Sequence, residues 1–149
     1  MLMEKKRSTS GKIMDSENIT PAVTPRETTS VLIIARPGGL RDGLTALISV
    51  VPFVDEIYHE VSYADALRRI RDSRPALVIL DGDLYEASGL DFLRLLKEQY
   101  SDLLCLVLVE DARQADLAKD AGADDVLIKG IHADQLLAAI EKNLPGRCN

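Results

Sequence analysis

Cysteine is nearly absent from this chain of 149 residues, with only two. Cys105 lies in an apolar run and Cys148 beside the C-terminus, without metal-ligand spacing, so a disulfide framework and a zinc knuckle are both excluded. Two reduced thiols are the usage expected of a cytoplasmic protein. Histidine is equally scarce: His59 and His132 stand alone, with no partner at ligand or triad spacing. Positive charge is in deficit, with 18 Lys and Arg against 24 Asp and Glu and a formal charge of −6. A nucleic-acid-binding surface needs a basic patch that this balance does not provide. Long hydrophobic runs are missing too. The longest, Leu103 to Val109, is far short of the roughly 20 residues that span a bilayer. The opening MLMEKKR has positive charge but no apolar stretch behind it, so it is no secretory signal. Neither GxGxxG nor GxxxxGK[ST] occurs, which leaves no nucleotide-binding signature.

What is present divides in two. Residues 1–30 hold nine Ser or Thr, Pro21 and Pro25, and no periodic apolar pattern. Such a segment buries too little surface to offset its ordering entropy, and it reads as a disordered tail. Residues 145–149 read as a short C-terminal tail.

From Val31 a strand–helix rhythm begins. VLIIA (31–35) is a buried strand followed by the turn Arg36-Pro37-Gly38-Gly39. Leu40, Leu44, Leu47 and Ile48 fall at helical spacing. VDEIYHEV (54–61) is a second strand, polar enough for a sheet edge. Ser62 and Asp65 form an S-x-x-D cap for a helix with Ala66, Leu67 and Ile70 on its inner face. ALVIL (76–80) is the third strand, and Leu90, Leu93 and Leu96 mark the next helix. LLCLVLV (103–109) is the fourth strand; Ala115, Leu117, Ala118 and Ala121 line a short helix stopped by Gly122. DVLI (125–128) is the fifth strand, and Leu136, Leu137 and Ile140 line the last helix before Pro145-Gly146.

Five strands alternating with five helices cannot pair as hairpins. Right-handed crossovers then give a parallel sheet covered on both faces, a doubly wound three-layer α/β sandwich over residues 31–144. Function in such sheets gathers beyond the carboxyl ends of the strands. Those ends are Arg36, Asp81, Glu110 and Lys129.

The residues there resemble the receiver domain of two-component response regulators. The likeness rests on VILDGDLYEASGLDFL around Asp81, on AGADDVLIKG (121–130), and on the strand–helix order. It implies a flavodoxin-like sheet in the order 2-1-3-4-5. It also implies a phosphoacceptor aspartate at position 81, served by a histidine kinase or phosphorelay protein, and a lysine at 129 that pairs with the phosphoryl group. The family's other parts are missing. Ala35 and Arg36 replace the acidic pair that holds Mg²⁺, so binding of that hard cation is expected to be weak or absent. Val109 or Glu110 falls where a Thr or Ser senses the phosphoryl group, and Val126 where an aromatic ring responds to it. Gly130 replaces the proline after the lysine, and Leu84-Tyr85 the Met-Pro pair after the acceptor. With Asp81 against Lys129 and Arg36, the pocket counts as positive.

Asp81 then has three readings: a working phosphoacceptor, the acidic half of an ion pair clamped by Arg36 and Lys129, or a solvated strand end. The expectation is a stand-alone, non-enzymatic pseudo-receiver, without an output segment after Asn143, signalling by protein contact through residues 112–142. A conventional phosphorelay receiver phosphorylated on Asp81 is the first alternative. A flavodoxin-like small-ligand or nucleotide binder using the Gly38-Gly39 turn as an anion cradle is the second.

Overall fold

The computed structural model describes residues 29–82, 86–130 and 133–144, with the side chains of residues 86 and 87 left aside. The bulk of both expected tails, Asp83, Leu84-Tyr85, His132 and the Pro145-Gly146 stop lie outside the described residues.

Among the described residues five strands alternate with five helices: β1 (Ser30–Ile34), α1 (Gly39–Ser49), β2 (Glu56–Glu60), α2 (Tyr63–Ser73), β3 (Leu77–Asp81), α3 (Glu86–Gln99), β4 (Leu104–Val109), α4 (Ala112–Asp120), β5 (Asp125–Ile128) and α5 (Ala133–Lys142). The strands pair in parallel in the order β2-β1-β3-β4-β5, which is the expected doubly wound sheet.

Strand composition explains the order. SVLII, LVILD and LCLVLV are almost wholly buried because each has a neighbour on both sides and a helix on both faces. EIYHE has no fully buried residue, only exposed and half-buried ones, and forms one edge. β1 starts one residue ahead of the strand read from the sequence. Ser30 pairs with Glu56 in the sheet, and the Thr29 N–H donates to Asp55 Oδ2 at 2.8 Å.

Two apolar layers flank the sheet. On one face Leu44 and Ile48 of α1 and Ile140 of α5 meet Val31, Ile33, Leu77, Ile79, Leu106 and Leu108. On the other, α2, α3 and α4 pack Ala66, Ile70, Phe92, Leu93, Leu96 and Ala118 against Leu32, Ile34, Val78, Val107 and Val109. Alternation along each strand assigns every residue to one layer.

The helix caps follow local chemistry. Ser62 Oγ accepts the Asp65 N–H at 3.0 Å, and Asp111 Oδ1 accepts the Gln114 N–H at 2.9 Å. Beneath α3, the Lys97 ammonium donates to Leu103 O at 2.7 Å and to Asp124 Oδ2 at 2.8 Å. The same carboxylate oxygen accepts the Cys105 N–H at 2.8 Å. One pair of charges thus pins α3 to the loops at the start of β4 and β5. Leu117 departs from its expected core role: it is 37% exposed, because α4 turns only Ala118 fully inward.

Candidate functional site

Three charged side chains converge where β3, β4 and β5 run out, and strand parity is the reason. Asp81 lies two residues past Ile79 and opposite Leu108, both in the α1–α5 layer. Glu110 lies two residues past Leu108, so it shares that face, whereas Val109 sits in the opposite layer. Lys129 lies two residues past Leu127, which packs on the α1–α5 side. Alternation therefore turns Asp81, Glu110 and Lys129 toward one point.

Lys129 Nζ lies 2.7 Å from Asp81 Oδ1 and 3.3 Å from Glu110 Oε2. The side chains of Lys129 and Asp81 are 20% and 16% exposed, and that of Glu110 is 52% exposed. The inner contact is therefore a partly desolvated charge-assisted hydrogen bond, and the outer one a screened contact. At an effective dielectric of about 20, gross attraction at contact is roughly 4 kcal/mol, and desolvation removes much of it.

The backbone fixes these positions. The Lys129 N–H donates to Val109 O at 2.8 Å and the Gly82 N–H to Leu108 O at 2.7 Å, so both ladders run one step past the assigned strands. A Cβ at Gly82 would stand 2.5 Å from Leu108 O; only glycine lets the chain pass β4 so closely. The Glu110 N–H donates to Gln114 Oε1 at 2.8 Å, tying the end of β4 to the first turn of α4. Gly130, in the place of the family's proline, has φ 94°. That left-handed conformation suits glycine.

The remaining expected site residues separate. Ala35 is buried in the α1–α5 layer, with its N–H donating to Glu60 O at 3.2 Å. Arg36 is exposed at the start of the following turn. Val126 is half-buried opposite Val107 and packs on the α2–α4 layer, an aliphatic group where a ring would turn. Gly38 and Gly39 form the exposed start of α1, and the Asp42 N–H donates to Gly38 O at 2.9 Å.

Of Val109 and Glu110, it is Glu110 that reaches Lys129, while Val109 is 2% exposed in the opposite layer. Glu110 therefore adds a carboxylate beside Lys129 that the expected charge count did not include. Glu110 as a partner of Lys129 was missed, although the alternation in LVLVE contains the signal.

Donor chemistry tests whether Mg²⁺ suits this place. The ion takes several oxygens, usually one or two carboxylates with phosphate and water. Among the described residues no group of three or more His, Cys, Asp or Glu side chains could hold a metal. Ala35 offers a methyl group, and Asp81 carries an ammonium on one oxygen. These residues do not fit the ion.

Among the described residues, four titratable groups outside the site are shifted: Tyr58, His59, Asp65 and Cys105. Burial pushes the Cys105 thiol up to about 12, with Lys97 opposing and Asp124 reinforcing the shift. His59 is held below its ordinary value by burial and then by Arg41, against Asp42. Its Nε2 lies 2.8 Å from Thr45 Oγ1, whose hydroxyl donates to Arg41 O at 2.7 Å. With that proton committed, Nε2–H of His59 is the donor to Thr45.

Comparison with known proteins decides what this frame is. Residues 31–141 match the family model described as response regulator receiver domain. The chain belongs to the response regulator receiver family. It is similar to the DNA-binding transcriptional activator DevR/DosR of Mycobacterium tuberculosis, with 32% identity over 111 residues that cover 72% of this chain and 51% of that protein. It is also similar to the response regulator MprA of Mycobacterium ulcerans, at 30% identity over 72% of this chain and 47% of that one. The receiver domain thus spans about half the length of these curated relatives. Among solved structures, a response regulator from Chloroflexus aurantiacus shares the fold with a TM-score of 0.70 at 20% identity, covering 78% of this chain and 97% of that one. The orphan response regulator HP1043 of H. pylori does so with a TM-score of 0.67 at 24% identity, covering 80% and 99%. This receiver domain therefore serves two-component signalling. Among the described residues, no helix is long and apolar enough to cross a membrane.

Proposed function

We propose that this receiver domain is a pseudo-receiver that signals by protein contact and does not depend on Mg²⁺-assisted phosphorylation. The observation that carries the reading is the Asp81–Lys129–Glu110 cluster. The acceptor-position carboxylate already holds an ammonium at 2.7 Å, and a second carboxylate stands where the family has a neutral hydroxyl. A phosphoryl group on Asp81 would meet the Glu110 charge. Its Mg²⁺ would find Ala35 and Arg36 in place of two acids. In this reading Lys129, with Arg36 as an exposed second cation, supplies permanently the counter-charge that a metal ion supplies on demand. The three strand ends then keep one geometry.

Contact with a kinase, phosphotransfer or output protein is assigned to residues 112–142. Leu117 and Ile128, 37% and 43% exposed, are large apolar side chains presented to solvent within that span. Burying such apolar side chains against a partner contributes to binding.

Incubation with acetyl phosphate and Mg²⁺, followed by intact-mass measurement, separates this reading from a conventional phosphorelay receiver. The expected result is no mass gain, together with no amide chemical-shift response to Mg²⁺ alone. A one-phosphate gain that vanishes in Asp81→Asn would establish the conventional reading instead. The double variant Ala35→Asp, Arg36→Asp is expected to bind Mg²⁺ where the natural chain does not.

A further inference from the structure

On the face of the sheet opposite Asp81, a cleft of about 220 Å³ opens between α3 and α4. Its floor is Val107 and Val109, and its walls are Leu90, Leu117 and Ala118. It exists because α4 brings a small side chain, Ala118, to the sheet while Leu117 remains at the mouth, 37% exposed. Gly82 adds no side chain to fill the gap. Arg113 and Gln114, in the first turn of α4, form the polar rim. Arg113 has no ion pair or hydrogen bond among the described residues, whereas Arg68, Arg69, Arg71 and Arg94 each have a carboxylate partner.

We propose that this cleft is a binding site for a small organic carboxylate with a compact apolar body. Charge selects the head group. A guanidinium without a partner, beside an apolar floor, favours a single planar anion that it can grip with two parallel N–H donors. Volume selects the body. Drug-sized pockets begin at about 300 Å³, so this one suits a ligand of about ten non-hydrogen atoms. The affinity expected of so small a ligand is on the order of a millimolar or tighter.

Position gives occupancy a consequence. Gln114 lines the cleft and its Oε1 holds the Glu110 N–H at 2.8 Å. Gly82, also in the lining, directly follows Asp81. A ligand seated against the first turn of α4 therefore presses on both chain segments that carry the carboxylates facing Lys129. The site stands whether or not Asp81 accepts a phosphoryl group, since it lies on the other face of the sheet.

Titration of the ¹⁵N-labelled full chain with 4-methylbenzoate, and separately with the neutral isostere 4-methylbenzamide, tests the proposal. The benzoate is expected to give saturable amide shifts centred on residue 90 and residues 107–118. It should bind at least about threefold more tightly than the amide, the preference an exposed ion pair supplies. Arg113→Gln, an exposed substitution that leaves the fold alone, should abolish that preference. Ala118→Ile should weaken both probes. Shifts that do not saturate, equal binding of acid and amide, or an unchanged preference in Arg113→Gln would each overturn it. The arginine variant keeps the test decisive if Ala118→Ile fails to fold.

Discussion

Among the described residues Lys129 holds two carboxylates, Asp81 and Glu110, at once. In Lys129→Met the half-buried Asp81 loses its cation while staying largely out of water. A cost of about 1–3 kcal/mol is expected in urea unfolding, between the values for surface and buried pairs. Asp81→Asn should cost less, because the amide oxygen still accepts from the ammonium. A double-mutant cycle with Glu110→Gln should show coupling to Lys129 below about 1 kcal/mol, as suits its exposed contact. His59 gives a pH signature. Its folded pKa lies below the ordinary imidazole value of 6.5, so just beneath pH 6.5 the unfolded chain binds more protons than the folded one. Stability should therefore fall as the pH drops through that window and be untouched by this group above it. Comparing urea midpoints across pH 5–7 checks this, and His59→Gln should remove the corresponding part of the slope.

At the scale of elements, caps and strand parity position the site. Ser62→Ala removes the acceptor for the Asp65 N–H and should lower stability by about 1 kcal/mol, read from the urea midpoint at constant m-value. Asp65→Ala tests the other half of that cap. The Asp65 carboxyl is held below its ordinary range by Arg68 first and Ser62 second, so whatever it contributes is present near neutral pH and fades on acidification. The S-x-x-D pattern and the hydrophobic spacing made α2 legible before any coordinates. The inner face of α4 was less legible. ARQADLAKD carries Ala115, Leu117 and Ala118 within four residues, and periodicity alone does not say which of two adjacent apolar residues turns inward. The sheet decides that, by giving Ala118 a neighbour.

For the whole molecule, the central strands set the pace of opening. Cys105 lies in β4, 1% exposed, between β3 and β5, and burial has pushed its thiol to about 12. In a Cys148→Ser background its reaction with a thiol reagent should be negligible in the folded state. It should also slow in parallel with global stability as denaturant is withdrawn. Rapid labelling without unfolding would mean that the β4 layer opens locally.

Much of this protein is written locally. Four short apolar runs and one more polar run, alternating with helical patterns, pointed to a parallel doubly wound sheet, in which helices on both faces bury strands that are apolar on both sides. Residues that close each element, such as Asp81 and Lys129, were placed at the strand ends by the same patterns. Tertiary structure alone decided what those residues touch. Glu110 joined Lys129 because it lies two residues past Leu108, so strand alternation turns it to the face where Lys129 follows Leu127. The α3–α4 cleft arose because the small side chain of Ala118 met the sheet and left space that a larger one would fill. Contacts between residues 48 positions apart in the chain, as in Asp81–Lys129, depend on how whole strands stack, and one-dimensional periodicity carries no distance across a sheet.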